Sequence, residues 1–185
     1  MNSGGVQTID VDGILFAFSE GWDVEKFDDW PQFRKLSGKY AIQGCDIVAF
    51  DGDVLWLLEV KDYTYPGAKL PANLPVIVGK KAAGTLAVLH ALAKHEHPSA
   101  QQVFASRCLR AKQINIALHI ELKDGGEKLK YINSSLSNLR QEIRRVRREF
   151  GLKGFAVTSY HLPLDKGVPW RARRNPQHRD IHVDR

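Results

Sequence analysis

Gly44-Cys45-Asp46-Ile47-Val48-Ala49-Phe50-Asp51-Gly52-Asp53-Val54-Leu55-Trp56-Leu57-Leu58-Glu59-Val60-Lys61 is the stretch that decides how this chain is read. Apolar runs flank Asp51-Gly52-Asp53, a composition that predicts two strands, Tyr40–Phe50 and Val54–Tyr63, joined by a tight turn. Strand side chains alternate between faces, so Glu59 and Lys61 share a face with Leu55 and Leu57. If Gly52-Asp53 forms the loop, Asp46 lies directly opposite Glu59. If Asp51-Gly52 forms it, the two become diagonal neighbours on one face. Only an odd-length loop separates them, so both common two-residue turns bring the carboxylates together.

Such a pair needs a reason. One strand face carries Val48, Phe50, Leu55 and Leu57, and the other carries Ile47, Ala49, Trp56, Leu58 and Val60. Both faces are expected to be buried, where adjacent carboxylates repel each other and lose hydration. Lys61 can neutralise one of them in a buried Glu59–Lys61 or Asp46–Lys61 ion pair. A divalent cation held by both compensates better, and with phosphate oxygens completing its shell it forms a phosphodiester-cleaving site. A second acid-x-Lys triplet, Glu121-Leu122-Lys123, has no aspartate hairpin before it and reads as a solvated strand end.

Asp46 on one strand, followed by Glu59-Val60-Lys61 on its hairpin partner, resembles the PD-(D/E)XK nuclease superfamily. The resemblance extends from about Asp28 to Ala93. It implies Asp46 and Glu59 as metal ligands with the Val60 carbonyl, Lys61 as the catalytic lysine, and Mg²⁺ or Mn²⁺ as cofactor. Cys45 stands where many members have proline. Members also place an acid ahead of the hairpin, and Glu20, Glu25, Asp28 and Asp29 compete for that position. The implied activity is hydrolysis of nucleic-acid phosphodiesters, DNA rather than RNA. The alternative is a catalytically inactive nuclease-fold module that binds nucleic acid or a protein partner.

Outward from the hairpin, Thr8–Val11 and Ile14–Phe18 flank Asp12-Gly13 as a second hairpin. Asp28-Asp29-Trp30-Pro31 starts a helix that runs to about Leu36. Thr64–Pro75, with three prolines and a glycine, is a loop. Helices are expected over Gly79–Lys94, Ser99–Arg110 and Ser134–Phe150, and strands over Gln113–Leu122 and Gly154–Tyr160. This order predicts an α/β fold with a restriction-endonuclease-like core, a mixed sheet flanked by helices on both faces. The expected division is one domain over 1–161 and a basic, extended tail over 162–185.

The 185 residues suit one domain, and 43% hydrophobic content suffices for a core. The runs Val54–Leu58 and Ala82–Leu89 are too short to span a bilayer, so no membrane partner is expected. Cys45 and Cys108 have neither disulfide nor zinc spacing, which with no apparent secretory signal makes a cytoplasmic setting the expectation. The net charge of +6 conceals an asymmetry. Residues 1–63 hold 12 acids against 5 bases, and the remainder holds 9 against 22. A basic remainder behind an acidic block suits a polyanionic partner. Its candidate phosphate contacts are Lys80 and Lys81, at the start of a helix, and Arg144, Arg145 and Arg148 on an arginine-rich one. A solvated exterior with Glu142 and Glu149 as partners explains the arginines equally well.

Overall fold

The computed structural model describes residues 6–123, 129–160 and 167–177, with the backbone alone for 129–133. Five strands form the main sheet in the order β3-β4-β5-β6-β7: Asp23–Lys26, Ile47–Phe50, Val54–Tyr63, Gln113–Leu122 and Gly154–Thr158. β3, β4 and β5 pair antiparallel, whereas β5–β6 and β6–β7 are parallel, so the sheet is mixed. A second sheet joins β1 (Gln7–Val11), β2 (Ile14–Phe18) and β8 (Trp170–Arg174), all antiparallel.

The helices are α1 (Pro31–Tyr40), α2 (Leu74–Ala93), α3 (Ala100–Cys108) and α4 (Leu129–Glu149). All four pack on one face of the main sheet. Phe33, Val78, Leu89, Phe104, Leu139 and Ile143 share a core there with Val48, Phe50, Leu55, Leu57, Ile116 and Leu118. The expectation of helices on both faces is therefore corrected. The opposite face, with Ile47, Ala49, Trp56, Leu58, Val60 and Ala117, is covered by Ile14, Phe16, Phe18 and Trp170 of the second sheet. The physical reason is alternation: β2 presents Ile14, Phe16 and Phe18 to one side, a flat apolar surface suited to a sheet beneath it.

The 161/162 boundary lies outside the described residues. Trp170–Arg174, expected in a tail, is instead a paired strand of the second sheet. Trp170 is buried edge-on against Trp56, with 5.3 Å between ring centroids, which anchors the segment. α2 begins at Leu74 and is, by length and composition alone, apolar enough to cross a membrane. Its Leu74, Val78, Val88, Leu89 and Leu92 are buried in the core described above. Short β3 carries no period long enough to be read as a strand, and only Ile47–Phe50 of the expected Tyr40–Phe50 strand is paired.

Candidate metal and nucleic-acid site

The β4–β5 hairpin sets the site. Ile47 faces Leu58, Val48 faces Leu57 and Phe50 faces Leu55, with Gly52-Asp53 as the two-residue loop. Gly52 has φ of +111°, a conformation that favours glycine, and Asp51 Oδ1 accepts from the Asp53 and Val54 amides at 2.9 and 2.7 Å. One step beyond Ile47 and Leu58, this register sets Asp46 directly across from Glu59. The Asp46 carboxylate also accepts from the Val60 amide through Oδ2 at 2.6 Å, which fixes its orientation across the strand end. Asp46 is 8% exposed and Glu59 is fully buried.

Two ammonium groups meet these acids. Lys61 Nζ lies 2.5 Å from Glu59 Oε1, and Lys81 Nζ lies 2.7 Å from the same oxygen and 3.8 Å from Asp46 Oδ1. Lys81 arrives from α2 because that helix presses against the chain leading into β4. A Cβ at Gly84 would collide with the Gln43 carbonyl, so glycine permits the approach. Thr85 Oγ1 accepts from the Cys45 amide at 2.8 Å and donates to the Lys81 carbonyl at 2.9 Å. Lys81, one turn earlier, is thereby placed over the carboxylates.

Of the four upstream acids, Asp28 joins the site: its carboxyl is hydrogen-bonded to Asp46. It lies on the single 3₁₀ turn Phe27–Asp29, whose Phe27 amide donates to the Asp46 carbonyl at 2.9 Å. Glu25 instead accepts from Trp30 Nε1, Asp29 pairs with Arg34, and Glu20 is exposed. Burial, then the Asp46 charge and the shared hydrogen bond, raise the Asp28 carboxyl to about 6. Burial, reinforced by Asp46, raises Glu59 to about 7 even though both lysines pull it down. Lys81 is opposed by burial, but Glu59 and Asp46 outweigh that and raise it above the ordinary lysine value. The site thus holds more charge than its burial favours.

Glu59 Oε1 is contacted by both ammoniums, whereas the buried Oε2 has no hydrogen-bond partner. A partnerless carboxylate oxygen beside a second carboxylate suits a hard cation. Among the described residues, however, no three His, Cys, Asp or Glu side chains are arranged to enclose one. The acids fit a divalent ion by chemistry, and lysine occupies the space between them.

Lys80 is exposed beside the half-buried Lys81. Arg144 lies over the Phe155 ring at 5.4 Å, Arg145 pairs with Glu142 at 3.1 Å, and Arg148 is exposed. These arginines belong to the outer side of α4, opposite its buried Leu136, Leu139, Ile143 and Val146.

Glu121 departs from its reading as a solvated strand end: it is fully buried between the sheets. Its Oε1 accepts from the Tyr160 amide at 2.7 Å and lies 3.0 Å from His119 Nε2, while Oε2 accepts from Ser159 at 3.3 Å. His119 Nδ1 meets Thr158 Oγ1 at 2.9 Å. The sheet-on-sheet cover hides this face, and nothing in the triplet itself signals it. Sequence alone offers Lys81 as a phosphate contact and Asp28 as one of four acids, without their contacts to the hairpin; Gly84 inside an apolar helix is the available signal of close approach.

No family model matches the chain, and no solved structure matches it. The chain is similar to a cysteine--tRNA ligase of Neisseria meningitidis serogroup A / serotype 4A (strain DSM 15465 / Z2491), 27% identical over a 205-residue alignment. That similarity covers 88% of this chain and 29% of the ligase, so the chain spans less than a third of the relative's length.

Proposed function

We propose that this protein is a metal-dependent nuclease that hydrolyses DNA phosphodiester bonds at the Asp46–Glu59–Lys61 site. The observation that carries the reading is the opposed pair Asp46 and Glu59, buried just ahead of β4 and on β5, with Lys61 beside Glu59. Structural ion pairs ordinarily balance one acid with one base and satisfy both oxygens. Here two acids share a site with a third, Asp28, and Glu59 Oε2 has no hydrogen-bond partner.

In this reading Asp46 and Glu59 hold Mg²⁺ or Mn²⁺ with the Val60 carbonyl. The Val60 amide keeps Asp46 turned toward Glu59. A bound divalent ion supplies Lewis acidity and a water of lowered pKa. Lys61, partly exposed at the mouth, orients the attacking water and offsets charge that builds on the phosphate. Asp28 tightens the acidic cluster through Asp46. The basic exterior of α4 contributes phosphate contacts away from the scissile bond.

A panel of single-stranded DNA, duplex DNA, branched DNA and tRNA tests the reading with Mg²⁺, Mn²⁺ and EDTA. Cleavage that needs the metal and disappears in Asp46→Asn supports it; tRNA is included because the similar protein is a tRNA ligase. A second reading, a nuclease-fold module without turnover, draws on the two lysines that already neutralise the acids. Binding to any of these nucleic acids without metal-dependent cleavage favours that module.

A further inference from the structure

The two lysines at Glu59 are not equivalent. Lys61 pairs with Glu59, from the same strand, and its side chain is 29% exposed. Lys81 reaches both carboxylates from a different element and is 17% exposed. Its ammonium stands between the acids, where a bridging cation belongs. The Gly84 contact and the Thr85 hydrogen bond hold α2 against residues 43–45, so this placement is built by packing.

We infer that Lys81 is a built-in counter-cation that competes with the divalent ion for Asp46 and Glu59, so that metal binding expels its ammonium toward the mouth of the site. This inference rests on the nuclease reading and adds regulation to it. With Lys61 and Lys81 in place, two positive charges offset two of the three acids at the site, and the net attraction left for a divalent cation is small. Lys81 Nζ lies 2.7 Å from an oxygen of Glu59 and 3.8 Å from one of Asp46, so a divalent ion bridging the two acids would meet its charge in the same space, and like charges that close repel strongly. Once expelled, the long lysine stem carries its charge outward, where a phosphate group of bound nucleic acid is its natural partner. The competition keeps the carboxylates compensated while no metal is bound, and it favours loading when a phosphate is present to receive the ammonium. It also accounts for the acids' failure to form a ready-made metal cage.

Calorimetric titration of the full chain with Mn²⁺ at pH 8.5, without nucleic acid, tests this. Lys81→Met is expected to bind Mn²⁺ at least tenfold more tightly than the wild type. Lys81→Arg, which keeps the charge, should stay near the wild type, and Lys61→Met should gain less than Lys81→Met. A second readout avoids any folding defect: acetylation of Lys81 in the wild type, followed by mass spectrometry, should accelerate at least threefold on adding Mn²⁺. Unchanged or weaker Mn²⁺ binding in a folded Lys81→Met overturns the competition while leaving the nuclease reading in place. So does an equal gain in Lys61→Met, or Lys81 acetylation indifferent to Mn²⁺ that binds. If neither the wild type nor Lys81→Met binds Mn²⁺, and Glu59→Gln titrates identically, the metal site and the competition fall together.

Discussion

Two Glu-x-Lys triplets lie on neighbouring parallel strands, and their environments could hardly differ more. Glu59 on β5 faces the helices, and Glu121 on β6 faces the second sheet; both are fully buried. Glu121 is met by an amide, a hydroxyl and an imidazole. Glu59 is met by a second carboxylate and two ammoniums, and one of its oxygens has no hydrogen-bond partner. Burial with satisfied hydrogen bonding marks a group that joins parts of the structure. Burial with crowded, incompletely paired charge is the arrangement that suits a ligand or chemistry, and it is what the nuclease reading rests on. The sequence motif is identical in the two places, so the motif alone cannot make that distinction.

The sharpest break in the comparison is catalytic. Glu59→Gln and Asp46→Asn should each reduce metal-dependent cleavage about 10³-fold or more, because in the nuclease reading each removes a direct metal contact. Glu121→Gln should leave cleavage within about threefold, since it lies on the other face of the sheet. Initial rates at saturating metal and substrate separate the two outcomes. Equal losses in both would show that the inter-sheet network supports the reaction.

Stability should invert this order. Glu121→Ala removes the acceptor of the Tyr160 amide and the carboxylate beside the buried His119 ring, at a cost of roughly 3 kcal/mol. For a chain of this size that lowers the melting temperature by roughly 6–12 °C. Glu59→Gln, which removes a charge that the fold disfavours, should melt at or above the wild type at pH 8 without metal. Thermal denaturation followed by circular dichroism reads both, and a strongly destabilised Glu59→Gln would assign Glu59 a structural role.

The pH dependence of stability sharpens the contrast further. Glu59 is raised from 4.5 to about 7 and Asp28 from 3.8 to about 6, so between those limits the folded state binds more protons than the unfolded chain. Stability therefore falls as pH rises through this window and levels off above it. The metal-free protein should melt lower at pH 7.5 than at pH 5, and Glu59→Gln should show a shallower fall. Saturating Mg²⁺ should flatten the dependence by binding the deprotonated carboxylates. A wild-type profile that rises over the same range would contradict the crowding of Asp28, Asp46 and Glu59.

The smallest effect belongs to the exterior. Replacing Arg144, Arg145 and Arg148 together with alanine should weaken duplex binding. Each lost phosphate contact should also reduce the slope of log affinity against log salt by about one unit. The rate at saturating substrate should change by less than about twofold, because these side chains lie on the exposed side of α4, whereas the acids are buried at the β4–β5 hairpin. Gel-shift titrations at several salt concentrations measure the slope. An unchanged slope would assign the outer side of α4 to hydration and to contacts such as Arg145–Glu142.

Local chemistry by itself determined the hairpins and the longest elements. Asp12-Gly13 and Asp51-Gly52-Asp53 locate their turns within a residue, and the apolar run of β5 and the apolar alternation of β6 each end near turn residues. The even loop between Asp46 and Glu59 determined their shared face, since strand alternation leaves no other outcome. Tertiary structure alone decided which cover lay over each face of the main sheet, because apolar side chains bind a helix stripe or a sheet surface by the same nondirectional effect. It decided that Trp170–Arg174 closes the second sheet, a pairing more than 150 residues distant in sequence from β2. It also selected Asp28 from four acids and brought Lys81 to Glu59. Both placements arise from how a 3₁₀ turn and a glycine-bearing helix seat against β4, and a charged side chain carries no local mark of the partner that packing will give it.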